Sequence, residues 1–265
     1  MKQIGFSINE EKEYEKEEKA YAPKEEEAKQ SVVTVRFENG REYPYYNDKF
    51  NLKINDLVFV DGKLYGQVGK VIKVTTKFKI STKYYKEVIA KLDTTIHGKF
   101  KKAECFMLAK GNNVVPFEQI EKWFKPPIIL KEDEKEEKFI LGEGYETLIS
   151  DITKGDEFST VDYLKGEHYF NLGKVEAITV NNKIGHAVVK NNHAHIVDFK
   201  IKGGKIYDIY CDCISPDFCH HAFAVCAALS ALFKDEIITE DDNFTTINSS
   251  TFDYFVKQNE AEITI

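Results

Sequence analysis

The sequence has few cysteines, prolines and methionines, and it has no long apolar run. Its 265 residues include five cysteines, six prolines and two methionines. The cysteines are too few for a disulfide framework, and four of them fall within residues 211–226, a clustering that indicates metal binding. No apolar run reaches the ~18 residues of a membrane span, so no membrane partner is expected. The first 30 residues are charged and have no signal-peptide core, which predicts an intracellular, cytoplasmic protein.

Sequence motifs of common enzyme classes are also missing. There is no glycine-rich loop ending in Gly-Lys-Ser/Thr and no Gly-x-Ser-x-Gly elbow. Two groups of titratable residues remain as catalytic candidates, and we interpret them as surface, loop or helix-cap residues: His186, His193 and His195, and Asp151, Asp156 and Glu157. The sequence therefore predicts a protein that is not an enzyme and has no small-molecule substrate.

The net charge of -7 is unevenly distributed. Residues 1–30 carry six Lys and nine Glu, residues 31–130 carry 18 Lys or Arg and 10 Asp or Glu, and residues 131–265 carry 13 Lys and 25 Asp or Glu. The middle segment is suited to a polyanion, which the C-terminal segment as a whole would repel. The first 30 residues have little to bury and predict a disordered tail, or alternatively an acidic arm that competes for the basic segment.

The first half of the chain has a β-strand pattern. Apolar and β-branched residues alternate from Ser31 to Phe37, and Asp61-Gly62 is a turn signal after a short apolar run. A further strand is predicted at residues 70–74, and a short helix at residues 114–123 that is opened by Pro116. Short strands with such turns predict a small β-rich barrel over residues 31–130.

A charged run at residues 131–138 is the best candidate for a linker. After it, the sequence predicts a helix at 160–167 and four strands, at 174–180, 185–190, 195–201 and 206–210. An apolar helix follows, and then an acidic tail with aromatic residues. The predicted fold is α+β: the barrel, the linker, and a second domain at 139–265 in which a β-meander and a helix are joined by a structural zinc site.

The motif CDCISPDFCHH at residues 211–221 carries the strongest signal in the chain. It supplies Cys211, Cys213, Cys219 and His221 between a predicted strand and a predicted helix. Zinc favours four such ligands in a tetrahedron, and four protein ligands close the site to catalysis. The sequence therefore predicts a structural Zn²⁺, with His221 favoured over the adjacent His220 as the fourth ligand.

Residues 169–233 resemble the SWIM zinc-finger domain. The Cys-x-Cys and Cys-x-His pairs match, as do the β-meander ahead (GKVEAITV, GHAVVKN, HIVDFKI, KIYDIYC) and the apolar helix behind (HHAFAVCAAL). The five-residue spacer between the two pairs is short for the family. The resemblance implies the same four zinc ligands and a role in DNA binding or protein binding, as in transposases, helicase-linked proteins and recombination factors. Cys226, on the helix, is interpreted as a core residue.

The basic segment is the second functional signal. Residues 49–102 hold 13 lysines and four acidic residues, with aromatic residues interleaved. Lysines contact phosphates and aromatic rings stack on bases, so this composition suits single-stranded nucleic acid or RNA. Residues 55–74 also resemble a KOW-type motif in an SH3-like barrel. The candidate contacts are Lys70, Lys73, Lys77 and Lys79; the alternative is a solvated lysine surface over an aromatic core.

Two functions remain open at this point. The first is a zinc-binding module that associates with nucleic acid, DNA or RNA, as an accessory factor to a helicase, recombination or mobile-element system. The second is a protein-interaction adaptor whose acidic zinc domain docks a partner such as a helicase. The steep salt dependence of phosphate contacts separates the two.

Overall fold

The computed structural model describes residues 30–77, 81–127, 160–213, 218–234 and 236–256, together with the backbone of residues 145–148 and 261–264. Several sequence predictions lie outside these described residues: the N-terminal tail, the linker at 131–138, Lys79, and the acidic group Asp151, Asp156 and Glu157.

The described part of the chain is mixed α+β and consists mostly of strands. The strands are β1 (Ser31–Phe37), β2 (Glu42–Asn47), β3 (Leu57–Val60), β4 (Gly69–Thr75), β5 (Val88–Lys91), β6 (Gly98–Ala103), β7 (Phe106–Lys110), β8 (Tyr145–Leu148), β9 (Val175–Asn181), β10 (Ile184–Lys190), β11 (Ala194–Lys202), β12 (Lys205–Cys211), β13 (Phe244–Asn248) and β14 (Ala261–Thr264). The helices are α1 (Phe117–Phe124), α2 (Thr160–Asn171), α3 (His220–Lys234) and α4 (Ser249–Phe255), with short 3-10 turns at Thr82–Tyr84 and Gly111–Asn113.

Strands β1 to β5 form an antiparallel sheet in the order β2-β1-β4-β3-β5. The alternation of β1 points Val33, Val35 and Phe37 into a core shared with Val58 and Val71. This confirms the strand predicted from the alternating apolar residues of the sequence.

The sequence predicts a small barrel over residues 31–130, but the described residues of this sheet show no closed barrel. Its edge strands β2 and β5 have no ladder between them, and the described residues show a single parallel bridge, Tyr46 to Glu87. The physical reason is strand length, because the edge strand β5 has only four residues and offers few backbone groups for closure.

The second sheet has nine strands in the order β14-β6-β7-β13-β9-β10-β11-β12-β8. Its pairs are antiparallel except β14 with β6. Strands β9 to β12 form the predicted meander, with tight turns between consecutive strands. At the first turn Asn182 and Lys183 both have positive φ, and at the last turn Gly203 and Gly204 do, which is the pattern of two-residue hairpin loops.

Helices cover the nine-stranded sheet on two faces. Along β9, Ile178 belongs to the core beneath α3, whereas its neighbour Ala177 belongs to the core that includes α1 and α4. Helix α3 is almost entirely buried, since it lies between the sheet and α2. None of the helices in the described ranges is long and apolar enough to cross a membrane.

Strands from both sides of the predicted linker at residues 131–138 pair with one another in the structure. Strands β6 and β7 precede residue 131, yet they lie in the nine-stranded sheet, where β7 pairs with β13. Strand β13 itself falls in the segment predicted as an acidic tail, but it occupies the interior of the sheet between β7 and β9. Its threonines Thr245 and Thr246 are buried, because β-branched residues pack well in a sheet even when they are polar.

Candidate metal centre

The four predicted zinc ligands come together between β12 and α3. Cys211 is the last residue of β12, and the bend that follows it carries Cys213. Cys219 immediately precedes α3, whose second residue is His221. The apolar sequence of α3 fixes this arrangement, because the helix packs on β9 to β12 and delivers its N-terminus to the end of β12.

The geometry of this cluster suits a metal ion. One ligand atom from each of Cys211, Cys213, Cys219 and His221 lies within 4.8 Å of all the others. The Cys219 Sγ to His221 Nδ1 distance is 3.7 Å. A tetrahedral zinc with Zn–S of ~2.3 Å and Zn–N of ~2.0 Å places such a pair about 3.5 Å apart. The residues therefore fit a bound metal ion with only small side-chain adjustments.

The chemistry of the thiols also favours a cation here. A hydrogen bond from the Cys211 thiol, aided by His221 and the Ala222 amide, lowers the pKa of the Cys219 thiol to about 3. The same hydrogen bond to Cys219, together with burial, raises the pKa of Cys211. These shifts favour deprotonation of Cys219 in a buried position, where a cation stabilises a thiolate. All five cysteines of the chain are free of disulfides, and Cys226 is buried in the core as predicted.

The two adjacent histidines have different surroundings. His221 is buried and lies in the cysteine cluster. His220 turns toward α2, where its Nδ1 is 3.2 Å from Asp162 Oδ1 and its ring meets Tyr169 edge-on at 5.1 Å. The structure therefore gives the fourth position of the cluster to His221, the residue favoured by the sequence.

The sequence analysis did not assign three residues that lie beside the cluster in the structure, His195, Asp212 and Lys125. The ring of His195 lies 4.2 Å from that of His221, and its Nδ1 is 3.2 Å from Asp212 Oδ1. The other oxygen of Asp212, Oδ2, accepts a hydrogen bond from Lys125 Nζ at 2.6 Å. The pairing of β11 with β12 explains the position of His195. Val197 pairs with Cys211, and His195, two residues before Val197, lies on the same face of the sheet as both.

The candidate nucleic-acid contacts lie on the five-stranded sheet. Lys70, Lys73 and Lys77 are all exposed. A bulge in β4 pairs Lys73 with Thr34 and Lys70 with Arg36, so the two lysines share one face although they are three residues apart.

The aromatic residues of this segment have different positions. Phe59 and Phe100 are core residues, as the alternative interpretation expected. Tyr84 is 76% exposed, and Lys83 Nζ lies 5.2 Å from the centre of its ring. One aromatic ring of the basic segment is thus open to solvent beside a cation.

Two other titratable groups are defined by the structure. His186 lies beside Phe117, and its Nδ1 is 2.7 Å from Asp198 Oδ1; this hydrogen bond raises the pKa of His186. Glu176 accepts a hydrogen bond from Thr251 in a cleft of about 960 Å³, where burial raises the pKa of its carboxyl. His193 is exposed.

Comparison with known proteins gives no family. No protein-family model matches the chain, and no curated protein or solved structure matches it significantly.

Proposed function

We propose that the chain is a SWIM-type zinc-binding module that associates with nucleic acid, as an accessory factor to a helicase, recombination or mobile-element system. The observation that carries the proposal is the convergence of Cys211, Cys213, Cys219 and His221 on one point between a strand and an apolar helix. Three sulfurs and one imidazole nitrogen form a donor set typical of structural zinc.

In this proposal the zinc has a structural role. Its four protein ligands leave no position for water, and they tie the end of β12 to the start of α3. Because α3 lies at the centre of the core over β9 to β12, a metal at its N-terminus fixes the helix against the sheet. Of the five residues between the two ligand pairs, residues 214–217 lie outside the described part of the chain.

The basic sheet is the proposed site of nucleic-acid association. Its support is the shared face of Lys70 and Lys73, the exposed Lys77 close to the end of β4, and the exposed ring of Tyr84. Lysines of this kind bind phosphates without reading sequence, and an exposed ring adds base stacking on single strands. We therefore propose single-stranded nucleic acid as the preferred ligand.

The test is fluorescence anisotropy of labelled single-stranded DNA and RNA oligonucleotides, titrated with the full chain over a range of salt concentrations. The expected result is binding that weakens linearly in a log–log plot, with a slope of about -0.7 for each phosphate contacted. Absence of binding to either oligonucleotide at low salt would contradict nucleic-acid association. It would not count against the proposed zinc site.

A second candidate is a protein-interaction adaptor, and α2 favours it. Val161 and Leu164 lie one turn apart on α2 and are 59% and 58% exposed, and Leu172 just after the helix is 56% exposed. An apolar surface in the acidic half of the chain suits a protein partner, such as a helicase. Binding to such a partner would change little with salt, and Leu164→Asp would weaken it without changing affinity for an oligonucleotide.

A further inference from the structure

A second group of metal-ligating side chains adjoins the four-residue cluster. Ligand atoms of His195, Cys211 and Asp212 all lie within 4.8 Å of one another, and Cys211 belongs to both groups. We propose that these three residues bind a second divalent cation, zinc by the nature of the donors, with the Cys211 thiolate bridging the two ions. The inference rests on the proposed zinc site, since the bridging thiolate is one of its ligands.

Strand pairing explains why these residues meet. Val197 of β11 pairs with Cys211 of β12, and His195 lies two residues before Val197, so His195 and Cys211 point to the same face of the sheet. Asp212 would point to the opposite face if β12 continued. The strand ends at Cys211, however, and the bend that follows brings the Asp212 carboxylate back to His195.

Hydrogen bonds hold the Asp212 carboxylate in this position. Its Oδ1 accepts from the Ile196 amide at 3.0 Å, and the Asp212 amide donates to the Ile196 carbonyl at 3.1 Å. Its Oδ2 accepts from Lys125 Nζ at 2.6 Å. Ligating carboxylates commonly have such supporting partners, which orient the ligand. Each carboxylate oxygen has two lone pairs, so Oδ1 can accept from the Ile196 amide and still bind a metal.

The distance between the nitrogen and oxygen donors fits a shared ion. His195 Nδ1 and Asp212 Oδ1 are 3.2 Å apart. Ligands ~2.0 Å from a tetrahedral zinc are separated by about 3.3 Å. A simple histidine–carboxylate hydrogen bond has a similar length, so the thiol of Cys211 within reach of both groups is the distinguishing observation.

The second site differs from the first in being open. It offers three protein ligands, which leaves a four-coordinate zinc one position for water or another oxygen ligand. The side chains of His195 and Asp212 are 27% and 33% exposed, so solvent reaches this side of the cluster. The two sites would therefore differ in role. The first, with four protein ligands, holds α3 in place, and the second, with three protein ligands, leaves its ion open to solvent at the surface.

The first test is the number of zinc ions bound by the full chain and by single variants, measured by calorimetric titration of the metal-free protein. We expect two ions for the unmodified chain and one for His195→Ala and for Asp212→Asn. Asp198→Asn is the matched control, because it removes another carboxylate that pairs with a histidine, and strand alternation places Asp198 on the opposite face of β11 from His195. This variant should still bind two ions.

Two results of the titration would overturn the inference. One ion for the unmodified chain, unchanged in His195→Ala and Asp212→Asn, would leave the proposed zinc site standing and show His195 and Asp212 to be a hydrogen-bonded pair only. No bound ion would contradict both proposals.

A second measurement needs no variant and so does not depend on whether the variants fold. Cobalt(II) is added to the metal-free chain and followed by electron paramagnetic resonance. A thiolate bridge couples two cobalt ions, so the second equivalent should reduce the signal that the first produces. A signal that doubles, or a second equivalent that stays free in solution, would contradict the bridge.

Discussion

His220 Nδ1 lies 3.2 Å from Asp162 Oδ1, so this histidine is held by α2 and turned away from the cysteines, although the next residue in the chain belongs to them. Successive residues of a helix point about 100° apart, so at the start of α3 the side chains of His220 and His221 have different partners. His220 joins α3 to α2, and His221 faces the end of β12.

The division of roles predicts opposite effects of two adjacent substitutions. His221→Ala should abolish tight zinc binding at the four-residue site, because it removes a ligand. His220→Ala should leave the zinc content unchanged and lower stability only by about 1 kcal/mol, the usual value of one partly buried hydrogen bond. Elemental analysis of the two dialysed variants checks this, and loss of zinc from His220→Ala alone would reverse the assignment.

Nucleic-acid binding through the five-stranded sheet predicts a change in salt dependence. Replacing Lys70, Lys73 and Lys77 together by Gln should weaken oligonucleotide binding and reduce the log–log salt slope by about 2, because each lost phosphate contact removes about 0.7. Anisotropy titrations at several salt concentrations measure the slope. Lys200→Gln with Lys202→Gln on β11 is the control of similar charge change, and an equal loss of slope there would indicate nonspecific attraction.

The packing of α2 against α3 predicts a steric effect at Gly166. A Cβ built at Gly166 would lie 2.4 Å from Phe223 Cδ1, closer than atoms in a core approach. Gly166→Ala should therefore lower the free energy of unfolding by about 1–2 kcal/mol, although alanine favours helix. The control is Lys165→Ala at the exposed neighbouring position, for which chemical denaturation should show a change within about 0.5 kcal/mol.

The pair of His186 and Asp198 predicts a pH-dependent contribution to stability. The hydrogen bond from His186 to the Asp198 carboxylate raises the pKa of His186 above its ordinary value in the folded protein, so folding favours the protonated ring. The stabilisation is complete below the unfolded pKa of about 6.5 and is lost as pH rises through the higher folded pKa. Asp198→Asn should therefore destabilise the chain at pH 5.5 and much less at pH 8.5. Denaturation curves that differ equally at the two pH values would refute this role.

Local patterns in the sequence were enough for the meander and the metal cluster. Strands β9 to β12 have alternating apolar residues or are joined by tight turns, and the Cys-x-Cys and Cys-x-His pairs are recognisable as metal ligands from their spacing alone. Strand β13 could not be found this way, since it has a polar appearance and pairs with β7 about 140 residues away. For the same reason, the sequence could not show that β6 and β7 belong to the nine-stranded sheet, because pairing between distant strands leaves no periodic signal in either strand. His195 and Asp212 were missed for a related reason, as their approach depends on the register of β11 against β12.

The closed zinc site that we propose between β12 and α3 is tested by measuring zinc content and following unfolding in parallel. The purified 265-residue chain is dialysed exhaustively, analysed for zinc, and melted before and after treatment with a chelator, beside Cys213→Ala and the exposed-cysteine control Cys105→Ala. We expect at least one zinc, the ion of the closed site, to survive dialysis in the unmodified chain and in Cys105→Ala. We also expect that chelation or Cys213→Ala lowers stability by at least about 3 kcal/mol, since zinc contributes ~10 kcal/mol or more in small modules. A folded chain that holds no zinc, and melts identically with and without chelator, would contradict the proposed site.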